Sequence, residues 1–109
     1  AESSTMASKE KDIPANAEQI QVLVTRSSLH DELGVDLRHC KTHLRIRRIH
    51  ADKAIALHNK NNEGTALVLQ HGDYIMSVNG VTGHDLEMIG ECKKSVNLAL
   101  SVVKKHAVR

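Results

Sequence analysis

The sequence has no phenylalanine, no tryptophan and one tyrosine, Tyr74, in 109 residues. Its core must therefore be built from Val, Ile, Leu, Met and Ala. It offers no aromatic platforms for stacked bases, so binding of RNA or single-stranded DNA by stacking is not expected. Cysteine is scarce too. Cys40 and Cys92 lie far apart with no secretory apolar segment, which fits reduced thiols inside the cell better than a disulfide framework. The cytoplasm is the expected compartment, and the start at Ala1 leaves organelle import open. No apolar run approaches the ~20 residues that cross a bilayer, so direct membrane insertion is not expected. Charge of either sign is not in large excess. Fifteen Lys and Arg face 13 Asp and Glu, for a net +2, short of a surface that tracks a phosphate backbone, and no nucleic-acid partner is expected. There is no Gly-x-Ser-x-Gly elbow, no Walker loop and no Cys–His pair that the sequence brings together, so neither an enzyme nor a cofactor is expected.

What remains is one domain's worth of chain with an average apolar content of 40%. Residues 1–17 are small and polar, contain the only proline, Pro14, and are read as a tail or linker. The domain is expected over 18–105, and 106–109 form a short C-terminal tail. From Ile20 to Arg26 a β-branched run predicts a strand, followed by a loop over Ser27–Glu32. Leu33–Arg38 and Leu44–Ile49 predict an antiparallel hairpin connected through His39–His43. Asp52 is placed to cap a helix of about two turns through Ala54–Leu57, closed by the cluster from Asn59 to Gly64. Tyr74–Val78 reads as a strand ending in the Asn79-Gly80 turn. His84 or Asp85 opens a longer helix with Leu86, Met88, Ile89 and Cys92 on one face, and Val96–Val102 alternates as a last strand.

The stretch Leu69-Gln70-His71-Gly72-Asp73-Tyr74-Ile75-Met76-Ser77-Val78-Asn79-Gly80 is similar to the Leu-x-x-Gly-Asp-x-Ile-x-x-Val-Asn-Gly pattern of the PDZ family at every named position. Glu32-Leu33-Gly34-Val35 resembles that family's Gly-Leu-Gly-Phe loop, with Val35 in place of the aromatic residue. The resemblance covers about residues 20–104. It implies an α+β fold, a small β-sandwich or partly open barrel of five to six strands with one short and one longer helix. The implied function is capture of the extended C-terminal peptide of a partner protein, with the peptide added as a strand between 35–39 and the helix at 85–94. The chemistry of the loop can be argued independently: a Leu-Gly turn ahead of a strand leaves successive N–H groups to form a nest for a carboxylate.

By the same resemblance, Leu33, Gly34, Val35, Asp36, Leu37 and Arg38 line one side of the ligand site. Ile89 and Cys92 line the other side, and the residue that starts the long helix reads the ligand's third-from-last position. Aligning on Lys93 puts Asp85 at that start. The alternative puts His84 there but turns Glu91 into an apolar pocket, where an unpartnered carboxylate costs several kcal/mol, so Asp85 is preferred. An acidic residue there would accept a hydrogen bond from a hydroxyl or attract a basic side chain.

His39, Cys40 and His43 place three metal-ligating residues within five, but a structural zinc site wants four with wider spacing, so no metal is expected and the segment is read as an exposed hairpin turn. Arg45, Arg47 and Arg48, with Arg38, Lys41 and Lys53, concentrate positive charge in one hairpin. A solvated strand face explains this first, with acidic ligand flanks or peripheral association with anionic lipid as alternatives. Two further roles stay open: a fixed subunit of a larger, even organellar, assembly, or the regulatory domain of a larger enzyme.

Overall fold

Between Ile20 and Thr25 the buried side chains are Val22 and Val24, and between Asn97 and Val103 burial begins in alternation with Leu98 and Leu100. These two strands pair in antiparallel register, Ile20 opposite Val102 through Thr25 opposite Asn97, so the period-2 pattern puts one face of the pair into the core. The computed structural model describes residues 18–105. The tails expected at 1–17 and 106–109 lie outside the described residues. Strands are β1 (Ile20–Thr25), β2 (Val35–His39), β3 (Leu44–Ile49), β4 (Tyr74–Val78), β5 (Val81–Thr82) and β6 (Asn97–Val103); helices are α1 (Ala54–Asn61) and α2 (Asp85–Lys94).

The six strands form one antiparallel sheet in the order β1-β6-β4-β3-β2, with β5 beside β4. This bears out the expected α+β class. The sheet is not closed into a barrel: β1 and β2 lie at its two ends. Val24, Leu44, Ile46, Ile55, Leu69, Val78, Met88 and Val102 are at most 2% exposed and form an aliphatic core between sheet and helices. Burial of each such side chain contributes roughly 1.5–3 kcal/mol, which is how the fold forms without a buried Phe or Trp.

The Gly72-Asp73 turn is built around a carboxylate. Asp73 is fully buried and accepts hydrogen bonds from the N–H of Gln70 and Lys105 and from the Lys104 ammonium. The Asn79-Gly80 turn is anchored from the other side: Asn79 exchanges main-chain and side-chain bonds with Ala99, while its amide donates to Glu91 on α2.

Four expectations are corrected. Asp52 does not cap α1. It sits at φ +65° ahead of the N-cap residue Lys53, which makes no side-chain cap bond; the carbonyls of Glu32 and Leu33 accept from the N–H of Ala54 and Ile55 instead, so a neighbouring loop fills the capping role. The second strand starts at Val35 rather than Leu33, because Gly34 turns the chain at φ +73°. Leu86 is 74% exposed: at 3.6 residues per turn it shares a stripe with Gly90 and Lys93, while Met88 and Cys92 face the core. The connection at 39–43 is not wholly exposed, since His43 is buried with its ring 5.6 Å from that of Tyr74. The two-residue strand β5 carries no pattern long enough to be read from sequence.

Candidate functional site

β2 ends the sheet, and its outer edge pairs with no other strand among the described residues. Its hydrogen-bond alternation follows from two bonds: His50 N–H donates to Gly34 C=O, and Cys40 N–H to His43 C=O. With the register given by Val35 opposite Ile49, Leu37 opposite Ile46 and His39 opposite Leu44, Val35, Leu37 and His39 direct their main-chain N–H and C=O groups away from β3. The edge therefore presents donors and acceptors to an incoming strand.

α2 is tied to both ends of this edge. At its start, Asp85 N–H donates to Lys41 C=O at 2.8 Å and the Asp85 carboxylate accepts from Lys41 N–H at 3.0 Å. At its end, the Arg26 guanidinium donates to the carbonyls of Cys92 and Ser95 and reaches back to Asp31 C=O in the loop that enters β2. Ten helical residues span about 15 Å and five extended residues about 17 Å, so helix and strand match in length. An extended peptide lying between them over that length would hold about four or five residues.

The loop at the Arg26 end has its carbonyls all committed to one side. Glu32, Leu33 and Gly34 accept from Ala54, Ile55 and His50. No hydrogen bond between described residues uses the N–H of Leu33 or Gly34, which leaves a nest of donors. Glycine is required here twice over, because a Cβ at position 34 would meet Lys53 Cβ at 2.1 Å and the backbone sits at φ +73°. Gly34→Ala is therefore expected to cost about 1–2 kcal/mol from the dihedral alone, and more from the clash. A lower urea midpoint, together with displaced amide resonances over 32–35, is the readout.

Of the residues expected to line the groove, Leu33, Val35, Leu37 and Ile89 are half-buried against the core, and Cys92 is buried. Burial pushes the Cys92 thiol up to about 11, so it stays an uncharged, unreactive wall. Asp36 and Arg38 are exposed; the Asp36 carboxyl is held below the usual range by its hydrogen bond to His50. His84 is exposed at the N-cap of α2. Asp85 stands at the groove's end, its carboxylate 3.3 Å from His39 Nδ1. Partial desolvation raises its pKa, but hydrogen bonds from the N–H of Lys41 and Leu86 and the nearby His39 outweigh this and hold it below the ordinary carboxylate range. Glu91 bonds to Asn79 and Ser95, away from the groove. Arg26 is not singled out by the sequence alone. Its only signal was a cation directly after a β-branched run, and its burial is visible only in three dimensions.

Elsewhere, Cys40 and Cys92 form no disulfide with each other. Among the described residues no three His, Cys, Asp or Glu side chains converge as a metal site requires, and no helix is long and apolar enough to cross a membrane. An open cavity of about 840 Å³ between β1 and α1 is bordered by Leu23, Arg26, His30 and Leu57, and Asp31 and Glu32 of the loop before β2 also line it.

No known family model matches the sequence, and no curated protein matches it. Among solved structures the chain is similar to "Crystal structure of MUPP1 PDZ4", at 18% sequence identity and a TM-score of 0.65, over 85% of this chain and 81% of that one. At that identity the likeness is one of architecture, and it agrees with the sheet order and helix placement above: this chain has a PDZ-like fold.

Proposed function

We propose that this domain is a non-enzymatic interaction module that captures the C-terminal end of a partner protein as an added strand on the outer edge of β2. The observation that carries the reading is that this edge, which pairs with no other strand among the described residues, lies beside α2 with the Leu33-Gly34 nest at one end of it. A peptide laid antiparallel to β2 would exchange main-chain hydrogen bonds with Val35, Leu37 and His39 and bring its carboxylate to the N–H groups of Leu33, Gly34 and Val35. Arg26, anchored at the end of α2, supplies positive charge beside that carboxylate. The last ligand side chain enters the aliphatic space among Leu33, Val35, Leu37, Ile89 and Cys92, which favours an aliphatic C-terminal residue.

Asp36 and Arg38 flank the bound strand on the exposed side, and His84 and Asp85 stand where the third-from-last residue passes. Asp85 sits in register with Ile89 and Cys92 on one helical face, which supports it over His84 as the reading residue. A hydroxyl or a basic side chain suits its carboxylate. Cys40 and Cys92 are not bridged to each other and Cys92 is buried, which supports a reducing, intracellular compartment. Screening an array of C-terminal peptides and mapping amide shifts with the best binder tests the proposal. The expected shifts fall on 33–39 and on the 85–92 face of α2, and shifts confined to the β1–α1 side would contradict it.

A further inference from the structure

We infer that the outer edge of β1 pairs with β1 of a second copy of this chain, in antiparallel register about a two-fold axis at Leu23. β1 lies at the opposite end of the sheet from β2, and its outer edge pairs with no other strand among the described residues. The direction of its main-chain groups follows from two observations. Arg26 N–H donates to Val96 C=O at 2.9 Å, one step beyond the pair of Thr25 with Asn97, so Ile20, Val22, Val24 and Arg26 point their N–H and C=O groups at β6. Ala99, which stands opposite Leu23, instead exchanges bonds with Asn79 on the side of β4. Gln21, Leu23 and Thr25 therefore turn their main-chain groups outwards, and their side chains lie on the exposed face.

This edge is complementary to itself. Antiparallel pairing about Leu23 sets the two Leu23 residues opposite one another and Gln21 of each copy opposite Thr25 of the other. Every outward position then meets an outward position, and each pair exchanges two main-chain hydrogen bonds. Shifting one copy by two residues loses one of these pairs and sets Leu23 against a polar side chain. Monomeric proteins ordinarily protect such an edge with lysine, proline or an inward-pointing charge. Ile20–Thr25 carries none of these, so no charge on the strand repels a like strand. Leu23 is 62% exposed, and Leu57 of α1, 52% exposed, borders the same open cavity beside the edge. Across the axis the two Leu23 Cα atoms would stand ~5.5 Å apart, so each leucine covers the other. The cavity is mixed in charge, with Asp31, Glu32 and Asp52 against Arg26 and Lys53, so a second copy does not bring charge of one sign against itself. One short strand and one helix residue from each copy fall short of the ~1,200 Å² of stable interfaces, so the dimer forms reversibly at high protein concentration. Neither β2 edge is used, and the inference does not rest on the peptide reading.

The test uses the full chain. Sedimentation velocity is run from ~10 µM to ~1 mM, beside amide hydrogen exchange at both ends of that range. The mass is expected to rise reversibly from one copy towards two, with the amides of Gln21, Leu23 and Thr25 gaining protection as it rises. Leu23→Lys sets two ammonium groups across the axis and should raise the dissociation constant at least tenfold. Leu57→Lys, outside the sheet, should also raise it, and keeps the test decisive if thermal melting shows that Leu23→Lys does not fold. Leu86→Lys removes a still more exposed leucine, on α2, and should leave association unchanged. A chain that stays monomeric across the range overturns the pairing; protection of the three amides without a change of mass would assign the edge to a segment of the same chain. Association weakened equally by Leu86→Lys, or accompanied by protection on β2 instead of β1, overturns it as well.

Discussion

Asp73→Ala is expected to destabilise the domain by about 3–5 kcal/mol, because it strips the partner from a cation that stays buried. Asp73 has no exposed surface and Lys104 is only 9% exposed, so water cannot replace the lost carboxylate. The same substitution also frees the N–H groups of Gln70 and Lys105, and each buried unsatisfied donor costs about 1–3 kcal/mol. Against a total stability of about 5–15 kcal/mol for a domain, the variant would be marginal at room temperature. Urea unfolding measures it. Combining Asp73→Ala with Lys104→Met should recover part of the loss, since the unpaired charge goes with the lysine, and equal stability of the single and double variants would show that the backbone contacts dominate.

Leu37→Lys carries the largest expected effect on function. Leu37 is the middle residue of the exposed edge and is only half-buried, so a lysine there can let its charge escape to solvent in the free domain. When a peptide fills the groove, that escape is blocked and an ammonium is held against the aliphatic wall. Peptide affinity is expected to fall at least ~100-fold, about 2.8 kcal/mol, while the thermal midpoint moves by only a few degrees. An unfolded Leu37→Lys variant would instead assign Leu37 to the core, and Leu37→Ala, with a smaller loss of affinity and an intact fold, separates the two cases.

The sequence carried the fold well where local chemistry and tertiary structure agree. The run from Leu69 to Gly80 places a carboxylate that caps its own turn and an asparagine that bonds across to Ala99, and both requirements show in residue identity. The strands β1, β3 and β6 and the two helices followed from periodicity. Asp52 was misread because a cap looks the same in sequence whether the helix N–H groups are met by its side chain or by the carbonyls of Glu32 and Leu33, 20 residues away. Leu86 was misread because one apolar residue at the start of a short helix fits two stripes equally well. That Leu33, Val35, Leu37, Ile89 and Cys92 turn towards the core was legible from their apolar spacing. The ties that bring α2 alongside β2, Asp85 to Lys41 and Arg26 to Cys92, were not, since they join residues 44 and 66 positions apart through main-chain groups that every residue possesses.

The central claim is that the Leu33-Gly34 nest holds a terminal carboxylate, and it is tested most directly by titrating the best-binding C-terminal peptide beside the same peptide with an amidated C-terminus. Charge-assisted hydrogen bonds to a carboxylate contribute about 1.5–3 kcal/mol, so amidation is expected to weaken binding by at least tenfold. Equal affinity of the two forms would contradict the claim.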